Sequence, residues 1–560
     1  TALLLAAVLS KHVENGIETE LKIGTSVEGS ETQFSLALRD TATSSPVRGA
    51  HPAAWFTLPP KQDVNVTCSA RIRELLAGSF LGAPVADLNS YYAVTLNDDA
   101  TLSVVDPLFG FGGSKLLSLV PLKGRGEDWA LSSDETRLFV TVPDPGVLAV
   151  IDTSIWKPLR EIAVPHAQRV ALQPDGYYAW VTSDDGVRVI DANSLEIAAT
   201  LPKGHAIAFS DDGRYAFIAA EHIQIIDTHT LKPVASIETA ATELAWSPSA
   251  KSLYALGKST VTAIRDNKII ARIHVDATRI RFAPNGRFAV LTSRDKNTIH
   301  IFDASTNRIV QRGALDGNPN RIFFTEHLAY ILRDTSEEVK MLPLEQLGDG
   351  HALSLADFPA GERAFARGAV PAIADPITQA PGENAVLVAN PADKTIYYYR
   401  EGMAAPMGSF QNYGRQPRAV LVVDRSLREK SAGTYATTMT LPPAGNYDVA
   451  VFVDAPRIVQ CFSVTIDPRP DSEKPKRVHV ERLPDERDGK SIHVRFRISE
   501  PATIPTIVFL APGTWQQRGQ LTRRDDGTYE IAFTPPQPGS YFVVLSEPRL
   551  DERQFVVRVE

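Results

Sequence analysis

Two histidines occupy matching places in consecutive repeats of the sequence, and their imidazoles could take part in chemistry. His166 lies in the segment Pro165–Val170 and His205 in Gly204–Phe209, each just before the strand expected to be innermost in its repeat. A side chain at that place points toward a central channel or its rim. An imidazole there could ligate a metal or a haem iron. The alternative interpretation is a hydrogen bond to a turn of the neighbouring repeat.

The two cysteines of the chain, Cys68 and Cys461, lie on opposite sides of the repeat region. If the repeats close into a ring, the two ends of the ring meet and bring the cysteines close together. One hypothesis is a disulfide between them, and the alternative is two buried free thiols. Titration of free thiols in the unfolded, unreduced protein distinguishes the two. Two cysteines also exclude a disulfide-dense scaffold and a four-cysteine zinc site.

Three other motifs are better explained by structure than by chemistry. Met403 and Met407 could bind Cu(I) through their thioethers, but no histidine or cysteine lies beside them, which favours packing. The segment 110–115 resembles a phosphate-binding loop but lacks the GxxxxGK[ST] spacing. No Cys-x-x-Cys-His sequence is present, so no haem is attached covalently to this chain. No catalytic residue and no metal site is predicted.

The elements that position these residues are short strands that recur with a period of about 40 residues. A strand followed by a turn recurs at Ala171–Gly176, Ala208–Gly213, Ala245–Ala250 and Phe282–Gly286. The third strand of a repeat usually ends in aspartate, at Asp106, Asp152, Asp191, Asp227 and Asp303. Four short strands in each period are typical of β-propeller blades, in which each small sheet is covered by its neighbours.

The predicted fold is all-β, with an eight-bladed β-propeller over residues 69–413; seven blades remain possible if the first or the seventh is degenerate. Because a closed ring brings the flanking segments together, residues 13–68 and 414–467 are predicted to form one split immunoglobulin-like sandwich. A second such sandwich is predicted over residues 477–560, after a linker.

Composition limits the possible functions of the chain. A net charge of −8 and the lack of a basic patch argue against binding to nucleic acid. Residues 1–12 are interpreted as a signal-peptide remnant or N-terminal extension, because the apolar run Thr1–Ser10 is too short to span a bilayer. The alternative is an ordinary buried strand or helix turn. The prediction is an exported protein, periplasmic or on the cell surface, without a membrane span.

The repeat units resemble two kinds of bacterial propeller. Val187–Asp191 and Ala208–Phe217 are similar to units of YVTN-type surface propellers and of the haem d1 domain of cytochrome cd1 nitrite reductase. The chain also resembles exported bacterial proteins described as cytochrome D1 domain-containing. The resemblance implies a setting rich in c-type cytochromes. It also implies that His166 and His205 are the residues placed to face a haem. The sequence carries no c-haem motif, so nitrite reduction is not expected.

Two functions fit these features. The first is a non-enzymatic exported binding or scaffold protein without a cofactor, whose propeller and sandwiches engage protein partners, such as c-type or multihaem cytochromes or a cell-surface assembly. The alternative is a redox protein that holds a non-covalent, d1-like haem in the propeller channel. The sequence favours the first. A Soret band in protein purified from its native host would favour the second.

Overall fold

The computed structural model of the chain describes residues 8–27, 31–59, 67–76, 84–89, 91–107, 115–381, 384–468, 478–499, 504–510, 515–545, 550 and 554–559. Nearly all elements in these ranges are β-strands. The first elements are β1 (Val8–Glu14), β2 (Ile17–Ile23), β3 (Glu31–Asp40), β4 (Ala53–Thr57), α1 (Cys68–Leu76) and β5 (Ala86–Asp87). Within the described ranges, no helix has the length and apolar character needed to cross a membrane.

The middle of the chain forms eight four-stranded antiparallel sheets, here called sheets 1 to 8. Sheets 1 and 2 contain β6 (Tyr91–Asn97), β7 (Thr101–Asp106), β8 (Lys115–Pro121), β9 (Asp128–Leu131), β10 (Arg137–Val142), β11 (Val147–Asp152) and β12 (Lys157–Ala163). Sheets 3 and 4 contain β13 (Val170–Leu172), β14 (Tyr178–Ser183), β15 (Gly186–Asp191), β16 (Ile197–Leu201), β17 (Ala206–Phe209), β18 (Tyr215–Ala219), β19 (Ile223–Asp227) and β20 (Lys232–Ile237). Sheets 5 and 6 contain β21 (Glu243–Ser247), β22 (Ser252–Leu256), β23 (Thr260–Arg265), β24 (Lys268–His274), β25 (Arg279–Phe282), β26 (Phe288–Ser293), β27 (Thr298–Asp303) and β28 (Arg308–Ala314). Sheets 7 and 8 contain β29 (Pro319–Phe324), β30 (Leu328–Arg333), β31 (Glu338–Pro343), β32 (Ala356–Pro359), β33 (Ile377–Gln379), β34 (Ala385–Asn390), β35 (Thr395–Arg400) and β36 (Gly408–Gln411).

A late strand completes sheet 1. β37 (Pro417–Asp424) pairs antiparallel with β6, so the first and last parts of the ring share one sheet. The sequence-based prediction placed residues 414–424 with the N-terminal strands, whereas the structure pairs β37 with β6. The reason is burial on both faces of β37. Ala419 and Val423 pack with sheet 2 residues such as Val140, and Val420 packs against sheet 8.

Each sheet of the ring is covered by the next one. Phe139 of sheet 2 packs with Val170 and Val181 of sheet 3 in one buried apolar cluster. The Tyr254 hydroxyl of sheet 5 donates a hydrogen bond of 3.1 Å to the carbonyl of Ala304, just after β27 of sheet 6. The aspartates that end third strands fix the next turn, as predicted: Asp191 accepts the N–H groups of residues 193 and 194. The ring is therefore a β-propeller, stabilised sheet against sheet.

The alternation of strand direction gives the ring two faces. The mouth face carries the turns between second and third strands and the segments that lead into each innermost strand. The base face carries the other turns. Glu135, in a base-face turn, accepts the Asp424 N–H at 2.6 Å, and Arg425 donates to the Thr153 hydroxyl at 2.7 Å. These contacts hold the segment after β37 against the base face.

The N-terminal strands and those after β37 form one module on the base face. Its late strands are β38 (Arg428–Ser431), β39 (Thr434–Thr440), β40 (Gly445–Val453) and β41 (Ile458–Ile466). One sheet has the order β1-β2-β3-β39-β38 and the other β41-β40-β4-β5, with an apolar core between them that contains Phe34, Phe56 and Val449. Residues 8–12, expected to belong to a signal-peptide remnant or extension, lie in β1 and pair with β2; residues 1–7 fall outside the described ranges.

The C-terminal module also has two sheets around one core. Its strands are β42 (Val480–Arg482), β43 (Glu486–Asp488), β44 (Ser491–Ile498), β45 (Pro505–Leu510), β46 (Gln516–Gln520), β47 (Thr522–Arg523), β48 (Tyr529–Phe533), β49 (Gly539–Leu545) and β50 (Gln554–Val559). Phe496 and Tyr541 lie in the core. Arg518 of β46 donates hydrogen bonds to the carbonyls of Asp99, Ala100 and Leu122, so this module contacts sheet 1 at the mouth face.

Candidate functional site

Charged residues stand at the start of the innermost strands, around the mouth of the propeller channel. Asp128, Glu243 and Arg279 are the first residues of β9, β21 and β25, and Arg169 immediately precedes β13. Arg321 lies near the start of β29. Because these strands meet around the central axis, the repeat itself brings side chains that are distant in sequence to one place.

Two carboxylates link neighbouring sheets in the same way. The Glu243 carboxylate accepts the backbone N–H of Ile280 at 2.7 Å, and the Asp128 carboxylate accepts that of Val170 at 3.0 Å. In each case the acid begins one innermost strand and bonds to the next. We call them the Glu243 latch and the Asp128 latch. They replace a backbone hydrogen bond that the short innermost strands cannot make to each other.

The two latches differ in charge compensation. Glu243 also accepts hydrogen bonds from Arg279, at 3.4 Å, and from Arg281, at 2.8 Å. In the Asp128 latch the residue that corresponds to Arg281 is Ala171. Among the described residues, no arginine donates a hydrogen bond to Asp128. Burial raises the pKa of Asp128 to about 7, opposed in part by the hydrogen bond from Val170 and the charge of Arg169.

Arg169 is the other incompletely paired charge. It occupies the place of Arg279, yet in the described part of the chain its guanidinium has no hydrogen-bond or ion-pair partner, because the shorter Asp128 side chain does not reach it. Burial lowers the pKa of Arg169, with the charge of Asp128 acting in the opposite direction. Arg169 is partly buried and its guanidinium is not bonded to an acid of the described residues, so its donors are available to an anion.

Arg169 lines a cavity of about 380 Å³ at the mouth face, which we call the arginine cavity. Its lining is Glu127, Arg169, Arg279, Arg294, Asn320, Arg321, Asp334, Val370, Pro371, Ala372 and Ile373. The two acids are already paired: Glu127 lies 2.7 Å from Arg418 and Asp334 lies 2.7 Å from Arg294. Arg279 and Arg321 lie near Glu243 and Asp375, which do not line the cavity. The lining itself has four arginines and two acids, and is therefore positively charged.

Arg321 is held tightly at the wall of this cavity. It donates a hydrogen bond to the carbonyl of Ala372, while its Nε is buried without a hydrogen-bond partner in the described residues and lies 3.6 Å from Asp375. Burial lowers the pKa of Arg321 to about 10, helped by the charge of Arg279. The group still remains cationic at neutral pH.

The segment Val370–Asp375, here called the strap, crosses the channel from sheet 7 to sheet 8. The N–H groups of Ile373 and Ala374 donate to the carbonyl of Glu127 at 2.8 and 3.1 Å, and Arg418 donates to the carbonyl of Val370 at 2.7 Å. A second, small cavity of about 10 Å³ lies beside Asp375. Four strap residues, Val370 to Ile373, form part of the wall of the arginine cavity.

The two histidines selected from the sequence lie outside the arginine cavity. His166 is 66% exposed, with its Nδ1 at 4.0 Å from a carboxylate oxygen of Asp184. His205 Nε2 lies 2.7 Å from the carbonyl of Ala241 in the next sheet, the contact that the sequence offered as the alternative. It lines a separate open groove of about 1270 Å³ on the mouth face, together with His222. Neither imidazole faces the arginines of the channel.

The other sequence candidates are also placed. Cys68 of α1 and Cys461 of β41 are joined in a disulfide within the base-face module. Met403 and Met407 are exposed, and the described residues hold no group of three side chains suited to a metal ion. Residues 110–114, which belong to the segment that resembles a phosphate-binding loop, lie outside the described ranges. The arginines were missed, although a charged residue recurs at or near the start of several innermost strands.

Comparison with known proteins gives one sequence relative. No family model matches the chain. Over 135 residues it is 33% identical to the dihydro-heme d1 dehydrogenase of Pseudomonas aeruginosa, a match that covers 21% of this chain and 27% of that protein. The chain is thus distantly related to that enzyme over about a quarter of the enzyme's length.

Solved structures show similarity at low sequence identity. AztD from Citrobacter koseri is 12% identical, with a TM-score of 0.46 over 60% of this chain and 98% of that one. Dihydro-heme d1 dehydrogenase NirN in complex with DHE is 13% identical, with a TM-score of 0.42 over 62% and 76%. The β-propeller domain of Cps50 (Swd1) from Myceliophteria thermophila is 14% identical, with a TM-score of 0.36 over 54% and 99%.

Proposed function

We propose that this protein is an eight-bladed propeller that binds a small molecule with carboxylate groups in the arginine cavity, without catalysing a reaction on it. The observation that carries this proposal is the Arg169 guanidinium, which faces the cavity without a partner among the described residues. A guanidinium offers a planar pair of N–H donors that matches a carboxylate. Arg279 and Arg321 also line the cavity.

The ligand class is a carboxylated tetrapyrrole. The printed name of the Pseudomonas relative refers to haem d1, and haems carry carboxylate side chains. The arginines fit those carboxylates. No histidine, methionine, cysteine or tyrosine lines the arginine cavity, so the residues there do not fit an axial iron ligand. A volume of about 380 Å³ is at the small end for ligand pockets, so the cavity takes the carboxylate-bearing edge of such a molecule.

Titration with coproporphyrin III, followed by its absorption and fluorescence, tests this function. We expect saturable binding of the free acid and none of its tetramethyl ester, which keeps the ring but lacks the charges. Arg169→Gln is expected to weaken binding about tenfold or more, the effect of losing one charge-assisted hydrogen bond. Arg272→Gln, at an exposed position on an outer strand, is the matched control and leaves affinity unchanged. Equal affinity for acid and ester would overturn the proposal.

We also propose that the protein is exported and that its flanking modules are immunoglobulin-like sandwiches that engage protein partners such as c-type cytochromes. What supports this is that the two modules lie on different faces of the propeller. Each module can therefore contact another protein independently of the other. Titration of the immobilised protein with purified c-type cytochromes tests it by saturable binding that is lost when the C-terminal module is removed. A linear, unsaturated response would contradict it.

A further inference from the structure

We propose that Asp128 takes up a proton from solvent when a carboxylate binds to Arg169, so that ligand binding and protonation of Asp128 are coupled. The inference rests on the proposed function and adds its regulation by pH. The ligand class is an anion that approaches the Arg169 guanidinium from the mouth of the channel. The proton comes from water, and the bound anion keeps its charge.

The geometry of the two latches leads to this inference. In the Glu243 latch the acid accepts hydrogen bonds from two arginines, so its negative charge is compensated inside the protein. In the Asp128 latch the acid accepts the N–H of Val170, and Arg169 beside it stays unbonded. While the cavity is empty, the nearby positive charge favours the ionised form of Asp128. When an anion neutralises Arg169, the partly buried Asp128 carboxylate loses that compensation.

The charged groups around Asp128 act on its ionisation in opposite directions. Glu127, which immediately precedes the strand of Asp128, is already paired with Arg418. From sheet 3, Arg169 favours the ionised form of Asp128, and from the strap Asp375 opposes it. Arg281 of sheet 6 also interacts with Asp128 but donates its hydrogen bond to Glu243. A bound carboxylate adds a further negative charge beside Asp375, which the cavity accommodates best when Asp128 is neutral.

Calorimetry of coproporphyrin III binding at pH 8 in phosphate and in Tris measures the coupling. These buffers differ in ionisation enthalpy, so the difference in observed heat gives the number of protons taken up. The probe carboxylates stay ionised at this pH. We expect uptake of up to about one proton per ligand, and an affinity that falls by up to about tenfold per pH unit above pH 7.5.

Two variants of Asp128 separate coupling from mere structural support. Asp128→Asn retains an acceptor for the Val170 N–H, so the probe is expected to bind with no proton uptake and no decline in affinity with pH. Asp128→Glu lengthens the side chain to that of Glu243, which reaches Arg279. It is expected to occupy Arg169, lower the affinity about tenfold and abolish the uptake. Asp191→Asn, in a base-face turn, is the control and changes neither.

The outcomes are distinguishable. If the wild-type protein does not bind the probe, the proposed function fails and this inference fails with it. If the protein binds the probe with no proton uptake, or if Asp128→Asn retains the uptake, the inference is overturned while the binding function stands.

Discussion

Asp128 is a partly buried acid whose pKa, about 7, lies above that of an aspartate in an unfolded chain. Between these two pKa values the folded protein binds more protons than the unfolded chain, so ionising Asp128 opposes folding as pH rises. Above pH 7 the Asp128 latch therefore costs stability while the cavity is empty. Such groups are frequent at functional sites.

The raised pKa of Asp128 predicts how the stability of Asp128→Asn varies with pH. The variant removes the ionisation cost, so its gain in free energy of unfolding over wild type should be absent near pH 4 and increase up to pH 7. Above that pH the gain should stay constant, with an upper limit of about 4 kcal/mol. Urea unfolding at pH 4, 6 and 8 measures it. A constant difference across this range would show that Asp128 does not titrate as described.

The strap forms part of the wall of the arginine cavity, and Arg418 holds the strap in place. Arg418 is fully buried and donates to the strap carbonyl of Val370 as well as to Glu127. Arg418→Met should lower the free energy of unfolding by about 2–3 kcal/mol, because it leaves the partly buried Glu127 carboxylate and the carbonyls of Gly126 and Val370 without this donor. Urea unfolding at neutral pH measures it. Arg272→Met is the surface control; an equally small loss in both variants would contradict the role of Arg418.

The strands of the ring were largely predictable, because turn residues and apolar runs repeat along the chain. Two elements were not. β32 lies in the Gly-, Ala- and Pro-rich segment after Leu347, where no repeat pattern marks a strand, yet it completes sheet 7. The sequence of β37 shows the same alternation of apolar and polar residues as the strands after it. Only the closure of the ring determines that β37 pairs with β6.

The arginine cavity was harder to predict than the strands around it. The importance of Arg169 depends on its equivalence to Arg279 and on Ala171 standing where Arg281 stands in the other latch. That comparison needs the register of the innermost strands, which sequence spacing leaves uncertain by one or two residues. The histidines attracted notice because of their chemistry, but their contacts are those of loop residues.

At the scale of the whole molecule, the C-terminal module is held at the mouth face by Arg518. Burial lowers the pKa of this guanidinium, which donates to three carbonyls of sheet 1. Arg518→Ala should release the module from the propeller and leave each fold intact. Small-angle X-ray scattering should then show a larger radius of gyration, with an unchanged near-ultraviolet circular dichroism spectrum. Arg523→Ala, exposed on the same module, is the control; equal scattering from both variants would argue against this contact.

The disulfide has a consequence for the integrity of the chain. It joins Cys68 to Cys461 across 393 residues, and all the strands of sheets 1 to 8 lie between them in the sequence. A protease that nicks one exposed loop of the propeller therefore leaves two fragments tethered to each other. On a denaturing gel such nicked protein should migrate as a single species until a reductant is added, and then separate into two bands.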